Sequence, residues 1–213
     1  MSGILYAQFV TSLEAASYLL LLRLLTAVEQ FSQVPFYTKL PILAKRWARN
    51  EVADLRNLIS RGMTLSFWVH IIGVVAVAIF FPFVLALMSE TTPFPSIDVW
   101  LLFGLAGLFV RYGAMNIQIY SLTNKIVLHY ANGLQGIIFS VVSICFVPLI
   151  GIYGFAIAML SASLVYSAYA LFKSHNVIGK TTILCNLYSL SMPVAVIGLI
   201  ILAVLINNYN VYT

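Results

Sequence analysis

Two arginines in this chain stand among apolar residues rather than in a basic cluster. Arg23 lies within Leu-Leu-Leu-Leu-Arg-Leu-Leu and Arg111 within Leu-Phe-Val-Arg-Tyr-Gly. In hydrocarbon each costs roughly 2.5–3.5 kcal/mol on insertion scales, so it needs a partner or a watery cavity. A planar guanidinium pairs well with phosphate, and two at similar depth could hold an anionic group. Gln30 follows Arg23 by seven residues and shares its helix face, adding a neutral hydrogen-bonding group to the candidate substrate site. The alternative for either arginine is pairing with an internal carboxylate or with the carbonyls of a helix end. Glu29 is a possible local partner for Arg23, although residues six apart sit on different helix faces.

Glu29 is itself a candidate. It is the acid placed deep in an apolar stretch, and an ionised carboxyl is costly there. It could load and release a proton or bind a cation, or it could pair with an arginine inside the bundle. His70, alone on an apolar helix, reads first as a hydrogen-bonded packing residue. His129, Tyr130, Asn132 and Gln135 form a polar run that suggests either a wet face or helix–helix hydrogen bonding. Catalytic patterns are missing from the sequence. It has no metal-ligand spacing, no glycine-rich phosphate loop and no paired carboxylates, which argues against an enzyme and implies no cofactor. Cys145 and Cys185 lie far apart in apolar stretches and read as inert buried thiols.

The elements that must position these groups follow from composition. The 213 residues are 62% hydrophobic and 8% charged, whereas a soluble domain is about half apolar and one-quarter charged. A chain this short could not hide that much apolar surface from water, so the bilayer is its solvent. Six spans are expected, at about 12–45, 57–88, 97–122, 126–148, 152–173 and 183–207, in one transmembrane helical domain. Residues 1–11 are apolar but too short to span, and read as the end of a helix whose beginning is absent; they do not resemble a secretory signal. Pro93, Pro95 and an N-cap at Asp98 punctuate one connection, Gly151 and Gly154 a tight turn, and Gly179 and Lys180 the last connection. Pro35, Pro41 and Pro82 interrupt helices and are candidate kinks. The run Ser161, Ala162, Ser163 suits close helix packing.

Charge gives an orientation. Lys45, Arg46, Arg49, Arg56 and Arg61 fall in the first connection, Lys125 in the third, and Lys173 and Lys180 in the fifth. The connections between them carry no lysine or arginine. The positive-inside rule places the basic connections in the cytoplasm and both termini outside. Trp47 and Trp100 fall at expected membrane interfaces. The net charge of +5 is therefore a matter of topology rather than nucleic-acid binding.

Several stretches in order resemble a known family. Glu14-Ala-Ala-Ser-Tyr18 leads into the helix with Arg23, followed by Ser32-Gln-Val-Pro-Phe-Tyr-Thr-Lys-Leu-Pro41 and, after the basic connection, Leu58-Ile-Ser-Arg-Gly62. Gly151-Ile-Tyr-Gly154-Phe-Ala-Ile-Ala158 follows later. This order resembles the C-terminal half of a polysaccharide or oligosaccharide-lipid flippase of the multidrug/oligosaccharidyl-lipid/polysaccharide exporter superfamily. The resemblance implies an all-α bundle like one half of a MATE-like transporter, in the cell inner (plasma) membrane. It implies alternating-access movement of a polyprenyl-pyrophosphate-linked oligosaccharide, commonly coupled to a cation gradient. Its partners would be membrane lipid, the lipid-linked oligosaccharide, and a missing N-terminal half or a second copy, since family members are about twice this length. The competing expectations are a non-transporting assembly partner in a polysaccharide-biosynthesis complex and, more remotely, an intramembrane lipid-modifying enzyme. The central arginines favour transport, because a scaffold has little reason to carry their insertion cost.

Overall fold

The computed structural model describes residues 12–87, 94–125, 128–178 and 190–204, with the backbone alone for 12–14 and 176–178. These residues are all-helical, with no strand among them. The helices are α1 (Ser12–Tyr37), α2 (Leu40–Ala48), α3 (Val52–Leu87), α4 (Ile97–Ser121), α5 (Leu128–Ile150), α6 (Ile152–Ile178) and α7 (Leu190–Val204). Four of them, α3 to α6, are long and apolar enough to cross a membrane. α1, with Arg23, Glu29, Gln30 and Gln33, is not among those four, and the described part of α7 is shorter. The readings made for residues 1–11, the Glu14 side chain, Pro93, Gly179, Lys180 and Cys185 lie outside the described residues.

Three boundary details differ from expectation. The first expected span is two helices, broken by a turn at Thr38 and Lys39. Pro41 does not kink a continuous helix; it sits in the first turn of α2, where its missing N–H costs nothing. Pro35 and Pro82 lie inside α1 and α3, which continue through them. The N-cap of α4 is Ser96 rather than Asp98. Ser96 has extended backbone, and its carbonyl accepts the Trp100 N–H at 2.9 Å to close the first turn. Asp98 lies inside that turn, where a carboxylate suits the helix dipole and accepts the Tyr153 hydroxyl.

α4 is the hub. It packs on α6, α3 and α1; α5 packs on α6, α1 on α3, and α2 on α3. Facing residues give the directions. Asp98 meets Tyr153 and Asn116 meets Ser174, so α4 and α6 run parallel. His70 meets Gly104 and Val74 meets Trp100, so α3 and α4 are antiparallel. Gln33 meets Arg111 and Tyr18 meets Phe103, so α1 runs with α4. These directions gather Lys39, Lys45, Arg46, Arg49, Arg56, Arg61, Lys125 and Lys173 at one end of the bundle, as the alternation of basic connections requires. Arg46 pairs there with Asp54 and Glu51, and Arg49 with Glu51.

Close approach is made by glycines. A methyl on Gly113 of α4 would lie 2.4 Å from the Tyr166 ring and 3.1 Å from Ser167 Cα of α6. Between α5 and α6, Gly151 adopts φ +58°, and its N–H donates to the Val147 carbonyl at 2.9 Å. A methyl on Gly154 would meet backbone atoms of Phe146 and Val147 at 2.6–2.8 Å. Both expected turn glycines are thus required by the geometry. The small-residue run also packs as expected, with Ala162 and Ser163 buried. Trp100, in the first turn of α4, is turned into the bundle. It is fully buried, and its indole N–H donates to the Val74 carbonyl at 2.9 Å. Cys145 is exposed rather than buried, on the outer side of α5.

Candidate functional site

Two apolar clusters fill the bundle. One, towards the Asp98 end, contains Tyr18, Leu21, Leu25, Trp100, Phe103 and Phe155. The other, towards the basic end, contains Phe36, Ile59, Met63, Phe67, Leu108 and Tyr112. A polar belt lies where they meet, contributed by Glu29 and Gln33 of α1, His70 of α3 and Arg111 of α4. The helical repeat explains the α1 contribution, because Glu29 and Gln33, four apart, share a face beside the buried Leu25 and Phe36.

Arg111 is 6% exposed, and its Nη1 donates to Gln33 Oε1 at 3.3 Å. Its Nε is buried with no hydrogen-bond partner among the described residues. Its charge acts on both Glu29 and His70, although no carboxylate lies within ion-pair distance of it among the described residues. Glu29 is half-buried, but its Oε1 is sealed from solvent and has no hydrogen-bond partner among the described residues. The carboxylate-to-arginine alternative thus acquires an electrostatic neighbour, Arg111, that sequence spacing did not reveal.

Arg23 is elsewhere. Leu21, Leu25, Val28 and Ser32 form the buried side of α1, whereas Arg23, Thr26, Ala27 and Gln30 are exposed on the other side. Arg23 and Gln30 do share a face, where they line a shallow depression of about 300 Å³ with Leu19, Leu22, Thr26 and Ala27. The structure does not bring Arg23 to Arg111. Arg111 reaches Gln33 on the inner side of α1, whereas Arg23 is exposed on the other side, so the two face in different directions. Which side of α1 is buried is set by packing, and that separates the two arginines.

A larger cleft of about 780 Å³ opens between α1 and α5. Tyr18 and Leu22 line it from α1, Phe103 and Met159 from α4 and α6, and Phe139 from α5. Asn132, Gln135 and Ser140 of α5 supply its polar edge. The polar run on α5 thus divides: Asn132 and Gln135 line the cleft, while His129 and Tyr130 are exposed. Leu22 borders both the cleft and the Arg23 depression, which makes them neighbours across one turn of α1. The sequence singled out neither Gln33 nor Gly107 as a site residue. A methyl there would lie 3.0 Å from Glu29 Oε1 and 3.1 Å from His70 Cε1. Nothing in a single sequence marks a glycine as the floor of a polar notch. Among the described residues no group of three or more histidine, cysteine or acidic side chains could hold a metal ion. Comparisons with protein-family models, with curated proteins and with solved structures find no match for this chain.

Proposed function

We propose that the chain is a membrane transporter, or one half of one, that moves an amphiphile with an anionic head and a long apolar chain by alternating access. The class that fits the sequence resemblance is a polyprenyl-pyrophosphate-linked oligosaccharide in the cell inner membrane. One observation carries the reading: Arg23 and Gln30 are exposed in mid-helix beside an aromatic and apolar cleft. A guanidinium held away from the bundle core at that position has a use if it meets an anion or a watery cavity. The neighbouring cleft offers apolar and aromatic surface to a hydrocarbon chain and Asn132, Gln135 and Ser140 to polar groups. A complementary half or a second copy facing the Arg23 side of α1 would enclose the cavity.

Arg111 takes a different part in this reading. It positions α1 against α4 through Gln33, and the anion is met by Arg23 and Gln30. The test is translocation of a fluorescent polyprenyl-pyrophosphate oligosaccharide in proteoliposomes holding the chain, alone and with a co-expressed complementary half. Arg23→Ala and Arg23→Lys should both lose at least about tenfold in rate, because a point charge does not replace the planar fork. Normal translocation by Arg23→Ala at normal abundance removes the anion-binding role. If the substitution instead abolishes co-purification with polysaccharide-assembly proteins and leaves substrate binding intact, the assembly-partner reading replaces transport.

A further inference from the structure

The notch over Gly107 brings together two hydrogen-bond acceptors. His70 is fully buried, with Nε2 2.9 Å from the Gly104 carbonyl oxygen. A carbonyl only accepts, so Nε2 carries the hydrogen and Nδ1 of the neutral ring keeps its lone pair. That Nδ1 is sealed from solvent and has no hydrogen-bond partner among the described residues, and Glu29 Oε1 is in the same condition. The two side chains border one point, since a methyl on Gly107 would lie 3.0 Å from Glu29 Oε1 and 3.1 Å from His70 Cε1, the carbon between the two ring nitrogens. A buried acceptor without a donor is destabilising, so two facing the same notch favour whatever supplies a hydrogen between them.

We propose that Glu29 and His70 form a proton-binding site over Gly107, in which the protonated Glu29 carboxyl donates its hydrogen bond to His70 Nδ1. The proton comes from water and adds to the carboxylate; no other bond is made or broken, and release returns it to water. A metal cation fits poorly, because the notch offers two protein ligands and the Arg111 guanidinium acts on both of them. The charged group that acts on both is Arg111 of α4, which also acts on Tyr166 of α6. The ionised carboxylate is drawn to Arg111 on α4, and the protonated carboxyl turns to His70 on α3. One proton therefore exchanges an α1–α4 interaction for an α1–α3 interaction, which is the differential binding that a change of conformation requires. The site is separate from the Arg23 face and stands whether or not the substrate reading holds.

The test is infrared difference spectroscopy of the full chain in lipid bilayers through a pH titration. A protonated-carboxyl C=O band should be present, disappear in Glu29→Gln, and shift in frequency and in pH midpoint in both His70→Gln and Gly107→Ala. An unchanged band in those two variants overturns the proposal. So does the lack of a Glu29 carboxyl band at every pH, which would leave a permanent ion-pair partner of Arg111. Where either variant fails to fold, nitrogen NMR of isotope-labelled histidine decides, with His129 and His175 replaced by Gln and His70 intact. A His70 Nδ1 signal that moves as Glu29 protonates supports the pair, and one that stays fixed through the titration overturns it. Neither readout depends on translocation, so a failed transport assay leaves this result standing.

Discussion

α4 and α5 invert the rule that governs soluble proteins. α4 is the less apolar of the two, carries Arg111 and Asn116, and is the most enclosed helix of the bundle. α5 is more apolar, yet Leu128, Ile137, Val141, Ile144, Phe146 and Leu149 stand exposed along it. In water that arrangement would be unstable. In a bilayer it is expected, because apolar side chains face lipid while polar groups find partners inside. The same contrast runs through α1, whose inner side holds Glu29 and Gln33 against the bundle. Its outer side is the anomaly, because it exposes Arg23 and Gln30 among apolar neighbours.

The largest expected effect tests which solvent the exposed surface meets. Ile72 of α3 is 63% exposed and lies near the middle of a helix able to cross a membrane. Ile72→Asp should cost about 3–4 kcal/mol of insertion free energy in a glycosylation-based insertion assay, the difference between apolar and acidic residues at a helix centre. A neutral or favourable effect would mean that this surface meets water and would dissolve the contrast. Next comes Gly154→Ala, where the new methyl strikes backbone of α5 that cannot rotate away. A loss of about 2–3 kcal/mol is expected in denaturant unfolding from mixed micelles. Gly133→Ala and Gly136→Ala are the controls. A methyl at either meets nothing within 4 Å, so both should be neutral or stabilising by up to about 1 kcal/mol, the helix preference of Ala over Gly.

The two arginines then separate inner from outer. Arg111→Ala removes the Gln33 hydrogen bond and the charge facing Glu29, and should cost about 1–3 kcal/mol in the same unfolding measurement. Arg23→Ala should change stability by less than about 0.5 kcal/mol, because the residue is exposed and touches the bundle little. Equal losses from the two would erase the distinction between a positioning and a ligand-facing arginine. Trp100→Phe should fall between those two arginine variants. It keeps most of the ring volume but leaves the Val74 carbonyl without the indole donor, for about 1 kcal/mol. No measurable loss would mean that the indole donor does not help to hold α3 on α4.

Much of the architecture was legible because it depends on quantities that accumulate along the chain. Apolar length set where α3, α4 and α5 run, and lysine and arginine spacing placed the basic residues at one end. Gly151 and Gly154 announced the α5–α6 turn. Single-residue readings were weaker. Asp98 and Pro41 each suited their expected role by type, and each had it changed by its neighbours: Tyr153 and the turn at Thr38–Lys39.

The candidate site shows the same division most clearly. Composition by itself determined that this chain is built of helices for an apolar solvent, and that Arg23, Glu29 and Arg111 are costly enough there to demand a reason. Only the tertiary structure decided that Arg111 belongs with Gln33 and Glu29, that Arg23 faces outward with Gln30, and that Glu29 and His70 both border Gly107. The physical reason is register. Insertion cost is a property of one residue and its span, whereas partnership depends on how far parallel helices slide and on which side of each helix is buried. The glycines and side-chain volumes of all the packed helices set that slide together.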